Sequence, residues 1–186
     1  MKHDCYAVPS VDLQPGTVRL VMIAEAAPPS VDDYFYARGV PLFGRTTLEA
    51  FRDAGVKLSS IRDLLDLGVY LTTAVKCGKT AYAIRTETVQ ECSQLLEREL
   101  AAFPAVEVIM LMGDVAIKAL NSVAKRQGED RVIPAGSTYK IRRGEYHYRG
   151  ARVFPSYLQA GPSFFIEKSK RKMIAEDIAA ALRLIR

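Results

Sequence analysis

Four short, strongly apolar runs at residues 18–24, 69–75, 106–112 and 152–155 limit what this chain can fold into. Their side chains do not alternate between apolar and polar. That pattern suits strands covered on both faces, as in a parallel sheet. Between the runs, apolar residues recur at helical spacing, predicting helices over 46–54, from Thr88 to about Phe103, over 115–125 and over 169–186. Val89, Cys92, Leu96, Leu100 and Phe103 mark the apolar stripe of the second helix. Thr88 with Glu91 three residues on reads as a capping box, and Asp114 after Gly113 reads as an N-cap. Residues 139–148 alternate around Arg143-Gly144 and read as a hairpin. Strands alternating with helices predict the α/β class. The expected form is a three-layer α/β/α sandwich, with a central, mainly parallel four-stranded sheet, in a single domain over residues 1–186. In such folds ligands bind at the carboxyl ends of the strands.

Hydrophobic residues make up 49% of the chain and charged residues 25%, which excludes a disordered or fibrous protein. No apolar run approaches the length needed to span a bilayer, so no membrane partner is expected. The start, Met1-Lys2-His3-Asp4-Cys5, has no apolar segment behind it and so does not read as a secretory signal. A cytoplasmic monomer is the expectation. Three widely spaced cysteines do not form a disulfide framework. The net charge of +5 suits a polyanionic partner without requiring one. There is no Gly-x-Ser-x-Gly pattern, no dinucleotide glycine fingerprint and no zinc-type spacing.

The strand ends carry the chemistry. The first run leads into Ala24-Glu25-Ala26-Ala27-Pro28-Pro29 and then Asp32-Asp33, so three carboxylates gather beyond a buried strand. The prolines stiffen this loop and would hold Glu25 in place. Next comes Gly39-Val40-Pro41-Leu42-Phe43-Gly44-Arg45. The later runs end in Thr73-Ala74-Val75-Lys76-Cys77, Met112-Gly113-Asp114 and Pro155-Ser156-Tyr157-Leu158-Gln159.

In this order the segments resemble the uracil-DNA glycosylase superfamily, nearest its iron-sulfur-containing branches. Glu25 matches the glutamate of that family's first motif, and Gly39 to Arg45 its Gly-x-Pro-Phe-x-Gly-Arg motif. Val69 to Cys77 matches the strand ending in Lys-Cys, Glu91-Cys92 a helix start, and Met112 to Ala116 the strand-Gly-x-x-Ala element. The resemblance implies hydrolysis of the N-glycosidic bond of a uracil or other damaged base, flipped out of DNA into a pocket. It implies DNA as partner and Glu25 as the carboxylate that positions water, with Asp32 and Asp33 in reserve.

Other roles follow from the same resemblance. Leu42 stands where the family has its phenylalanine, so the neighbouring Phe43 is the candidate ring for base stacking, with Tyr34, Phe35 and Tyr36 as further rings, and Thr73 stands where the family has a base-reading asparagine. Leu158-Gln159 stands where the family has a histidine that donates to the departing base. Tyr157, Gln159 and His147 are candidates for that donor by residue type alone. Phe164 or Phe165 resembles the apolar wedge that fills the gap left by the base. Lys168, Lys170 and Arg171, with Lys172, would meet phosphates. Lys76, Lys79 and Arg85 form a second basic group beside Cys77. The related branches hold a 4Fe-4S cluster on four cysteines. Cys77 and Cys92 occupy two of those positions and Cys5 a third, and the fourth is missing. Two functions stay open: a glycosylase of altered base preference, and a catalytically inactive nucleic-acid or nucleobase binding protein of the same fold.

Overall fold

The computed structural model describes residues 11–78 and 83–185. Among the described residues there are five strands: β1 Leu20–Ala27, β2 Val69–Gly78, β3 Val108–Met112, β4 Tyr146–Tyr148 and β5 Ala151–Ser156. Helices α1 Leu42–Asp53 and α2 Ile61–Asp66 lie between β1 and β2, and α3 Thr86–Ala101 follows β2. Helices α4 Asp114–Arg126 and α5 Thr138–Ile141 lie between β3 and β4, and α6 Ser163–Ile166 and α7 Lys168–Leu182 follow β5. The sheet order is β2-β1-β3-β5-β4. The first four strands of that order are mutually parallel, and β4 pairs antiparallel with β5. All four apolar runs are strands. The sheet is therefore mixed, with an antiparallel edge added to the expected four parallel strands.

The two-residue period of a strand divides the core. Val21 and Ile23 of β1 face α3 and α4, in a layer with Val89, Leu96, Leu120 and Val123. Leu20, Met22 and Ala24 face the opposite layer, with Ala50, Phe51, Leu64, Ile174 and Ile178 from α1, α2 and α7. Leu20, Val21, Met22 and Ile23 have no exposed surface. Burying each large side chain of this kind is worth about 1.5–3 kcal/mol. On β2, which lies at the edge of the sheet, Leu71 donates its N–H to the Tyr36 hydroxyl at 2.8 Å. Tyr36 also stacks on Tyr70, so this part of the edge is closed by side chains.

Several local expectations are corrected. Residues 139–148 do not form a hairpin around Arg143-Gly144, because α5 occupies the first part of that stretch. The hairpin instead joins β4 to β5, turning at Arg149-Gly150, both of which have positive φ. Arg142 is pulled inward by Asp177, to which it donates from Nη2 at 2.7 Å and from Nε at 3.2 Å. Asp177 also accepts from the Ser156 hydroxyl at 2.6 Å, which locks α7 to the end of β5. Burial pushes the Asp177 carboxyl above its ordinary range, against these three donors.

Thr88 and Glu91 form no capping box, since α3 begins at Thr86. The capping box lies at Ser60 and Asp63, opening α2. Asp114 is the first residue of α4, and Gly113 is its N-cap.

Candidate active site at the carboxyl ends of the strands

Glu25 lies within β1, so the strand rather than the proline loop holds it. Its side chain lies over Gly113, where a Cβ would stand 2.6 Å from Oε1 and 2.7 Å from Cγ. Gly113 has φ 105, a conformation that favours glycine for a second, independent reason. Val115, in the first turn of α4, donates its N–H to Glu25 Oε1 at 3.3 Å. The half-buried carboxylate thus sits at a helix N-terminus, where the helix dipole favours negative charge. The glycine after β3 was visible in the sequence, but its purpose was not: it leaves room for an acid 88 residues earlier.

Asp32 and Asp33 do not join Glu25. Asp32 is exposed in a short 3-10 turn, with its N–H donated to the Ser30 hydroxyl at 3.3 Å. Asp33 accepts the Leu42 N–H at 3.3 Å and so opens α1.

Phe43 and Thr73 lie on the other face of the sheet. Thr73 pairs in register with Ala24, beside the Met22 layer, whereas Glu25 points from the next position of β1 toward α4. Phe43 is half-buried, with its ring 5.4 Å from that of Phe35. It passes 3.8 Å from where a Cβ on Gly161 would stand. Thr73 is wholly buried, and its hydroxyl lies near that of Tyr34 without a well-directed hydrogen bond to it. Burial pushes the Tyr34 phenol far above its usual range. Gln159 is also wholly buried. Its Nε2 lies 3.2 Å from Met22 Sδ and 3.4 Å from Thr47 Oγ1, and its Oε1 has no partner.

The segment after β5 separates the remaining candidates. Tyr157 is half-buried beneath the Lys170 ammonium, 5.5 Å from the ring centre, and Lys170 also pairs with Glu167. Phe164 is 3% exposed and belongs to the core, so it is not free to act as a wedge. Phe165 is 40% exposed and its neighbour Ile166, which the sequence reading passed over, is 78% exposed. Arg171 is committed within the molecule. It pairs with Asp53 and Glu49 of α1, and its guanidinium lies 5.0 Å from the Phe164 ring centre. Lys168 and Lys172 are exposed. His147 lies opposite Arg152, near the start of β5 and away from the strand ends.

Lys76 is not part of a basic mouth. It is buried, donating to Thr72 Oγ1 at 2.6 Å and pairing with Glu99, and burial lowers its pKa. Arg85 is exposed as the N-cap residue of α3, and Lys79 lies outside the described residues.

The expected 4Fe-4S cluster is overturned. Among the described residues no three cysteine, histidine or carboxylate side chains gather to hold a metal. Cys92 packs among Val89 and Leu96 in the α3–α4 core, and half-buried Cys77 packs against the same cluster. Cys5 and His3 lie outside the described residues. The donor set present does not fit four-thiolate ligation. No helix among the described residues is long and apolar enough to cross a membrane.

A family model described as the uracil DNA glycosylase superfamily matches residues 14–180. The chain is 28% identical over 122 residues to the type-5 uracil-DNA glycosylase of Thermus thermophilus. That match covers 66% of this chain and 53% of the other, so the chain spans about half the length of this relative. The wild-type UNG crystal structure from Nitratifractor salsuginis covers 94% of this chain and 76% of its own, with a TM-score of 0.43 and 15% identity.

Proposed function

This chain belongs to the uracil DNA glycosylase superfamily, and from that premise we propose that it hydrolyses the N-glycosidic bond of a damaged base swung out of DNA. Cleavage sends the bonding electron pair to the base and leaves positive charge on the sugar. Glu25 opposes that charge and orients the attacking water, whose oxygen bonds to the sugar carbon while its proton passes to the carboxylate. The observation that carries this reading is the Glu25 carboxylate, held over Gly113 at the N-terminus of α4. A carboxylate that meets one backbone N–H at the crest of a sheet is positioned and partly wet, as a general base must be. Phe43, on the other face of the sheet, supplies a half-buried ring for base stacking beyond the strand ends.

Among the described residues, Leu158 is half-buried against the core and the Gln159 amide faces Met22 and Thr47, at the positions where the family resemblance leads one to expect a donor to the departing base. The same feature favours a second reading, in which the fold binds nucleic acid or a nucleobase without cleaving it.

The test uses duplexes carrying uracil, hypoxanthine or another deaminated base, scored by strand nicking after alkali. Nicking by the parent protein should fall by about 100-fold or more in Glu25→Gln. Nicking that survives in Glu25→Gln removes the proposed role. Binding without nicking by the parent protein supports the second reading.

A further inference from the structure

A cavity of about 470 Å³ opens between the 37–41 loop, α1 and α2, and neither Glu25 nor Thr73 lines it. Its floor is apolar, made by Tyr36, Pro41 and Ile61. Gly44 lets these parts meet, since a Cβ there would stand 3.1 Å from Pro41 and 3.2 Å from Ile61. Four arginines line the rim: Arg38, Arg45, Arg52 and Arg62. Arg45 and Arg52 lie seven residues apart on one face of α1, and Arg38 and Arg62 come from the facing segments.

The one lining carboxylate, Glu49, is engaged by Arg52 and by Arg171. Arg38 and Arg62 are exposed and form no ion pair among the described residues. Val40, at the lip, is 78% exposed among the described residues. The volume is that of a small-molecule site. Guanidinium groups are the side chains best suited to bind phosphate through paired N–H donors. Aromatic and aliphatic floor residues suit the flat face of a base.

We propose that this cavity is a second binding site, which takes a nucleoside phosphate: the base lies against Tyr36 and Ile61, and the phosphate meets Arg38 and Arg62. The phosphate belongs either to a free nucleotide or to a unit of single-stranded DNA, since the recognising chemistry is the same. The site stands independently of Glu25 and of base release.

Calorimetric titration of the full chain at low salt tests it, with deoxynucleoside 5′-monophosphates, the unphosphorylated nucleosides and inorganic phosphate as probes. A monophosphate should bind more tightly than its nucleoside and more tightly than inorganic phosphate. Arg38→Glu/Arg62→Glu should weaken it roughly tenfold or more, the loss expected when a charge-assisted hydrogen bond is removed. Both arginines are exposed, so the melting temperature of the double variant should match the parent. No binding of any probe, equal binding of monophosphate and nucleoside or phosphate, or unchanged affinity in the double variant would each overturn the proposal. A labelled single-stranded oligonucleotide separates the two sources. Binding that is weakened in the same variant and displaced by the monophosphate assigns the site to a DNA strand, and no binding, or binding unchanged in the variant, assigns the site to free nucleotide.

Discussion

On the α3–α4 face of the sheet, Glu25 accepts the Val115 N–H, Lys76 meets Thr72 and Glu99, and Tyr70 donates to Glu99 at 2.8 Å. Around Ala24 on the α1–α7 face, the hydroxyls of Tyr34 and Thr73 and the carbonyl of Gln159 are buried without a well-formed partner. Buried polar groups left unpaired are costly, so a fold keeps them where something other than stability maintains them. The first face fixes an acid. The second packs Tyr34, Phe35 and Phe43 together, with hydroxyls and an amide where the family resemblance leads one to expect an asparagine and a histidine.

The α1–α7 face depends on one buried ion pair to hold α7 against β5, and the largest stability effect is expected there. Asp177→Ala leaves Arg142 buried without its main partner and should cost about 3–5 kcal/mol in urea unfolding. A loss below about 1 kcal/mol would mean that Glu176, which accepts from Arg142 at 3.0 Å, and the Met173 carbonyl, at 2.9 Å, carry the arginine without Asp177. Thr73→Val should be neutral or stabilising by about 1 kcal/mol, because it removes a buried hydroxyl that has no good partner. Clear destabilisation there would erase the contrast between the faces. A fall in base release with stability unchanged would make Thr73 a contact to the substrate.

The smallest effect lies at the start of α2. The Ser60 hydroxyl and the Ser59 and Ser60 N–H groups hold the Asp63 carboxyl below its ordinary value of 3.8. A depressed carboxylate pKa gives stability that is present above the unfolded value and is lost as pH falls through the folded one. The melting temperature of the parent should therefore exceed that of Asp63→Asn at neutral pH. The gap should close as pH drops below 3.8, and a gap independent of pH would contradict the capping role.

The strands were legible because a run buried on both faces needs no distant information to read apolar. The parallel sheet followed from the helices between them. The mistaken hairpin shows the limit: Arg142 looks like a surface residue until Asp177, 35 positions later, is seen to bury it. Phe164 and Phe165 are the same residue type side by side, and only the packing of α6 against α7 shows which one is covered. Glu25 was found by its place after an apolar run, but its support was not, because Gly113 acts through the side chain it lacks. The arginine-lined cavity joins residues from three separate segments, none of which carries a motif for it.

The most direct test is a double-mutant cycle on single-turnover base release, combining Glu25→Gln with Gly113→Ala. An added methyl at Gly113 must displace the carboxylate, since it would lie 2.6 Å from Glu25 Oε1. Gly113→Ala should slow release in the parent and cause no further loss once Glu25 is glutamine, in variants shown by thermal melting to be folded. The same fold-loss in both backgrounds, or parental rates in Glu25→Gln, would contradict the view that the glycine serves the acid and the acid serves the reaction.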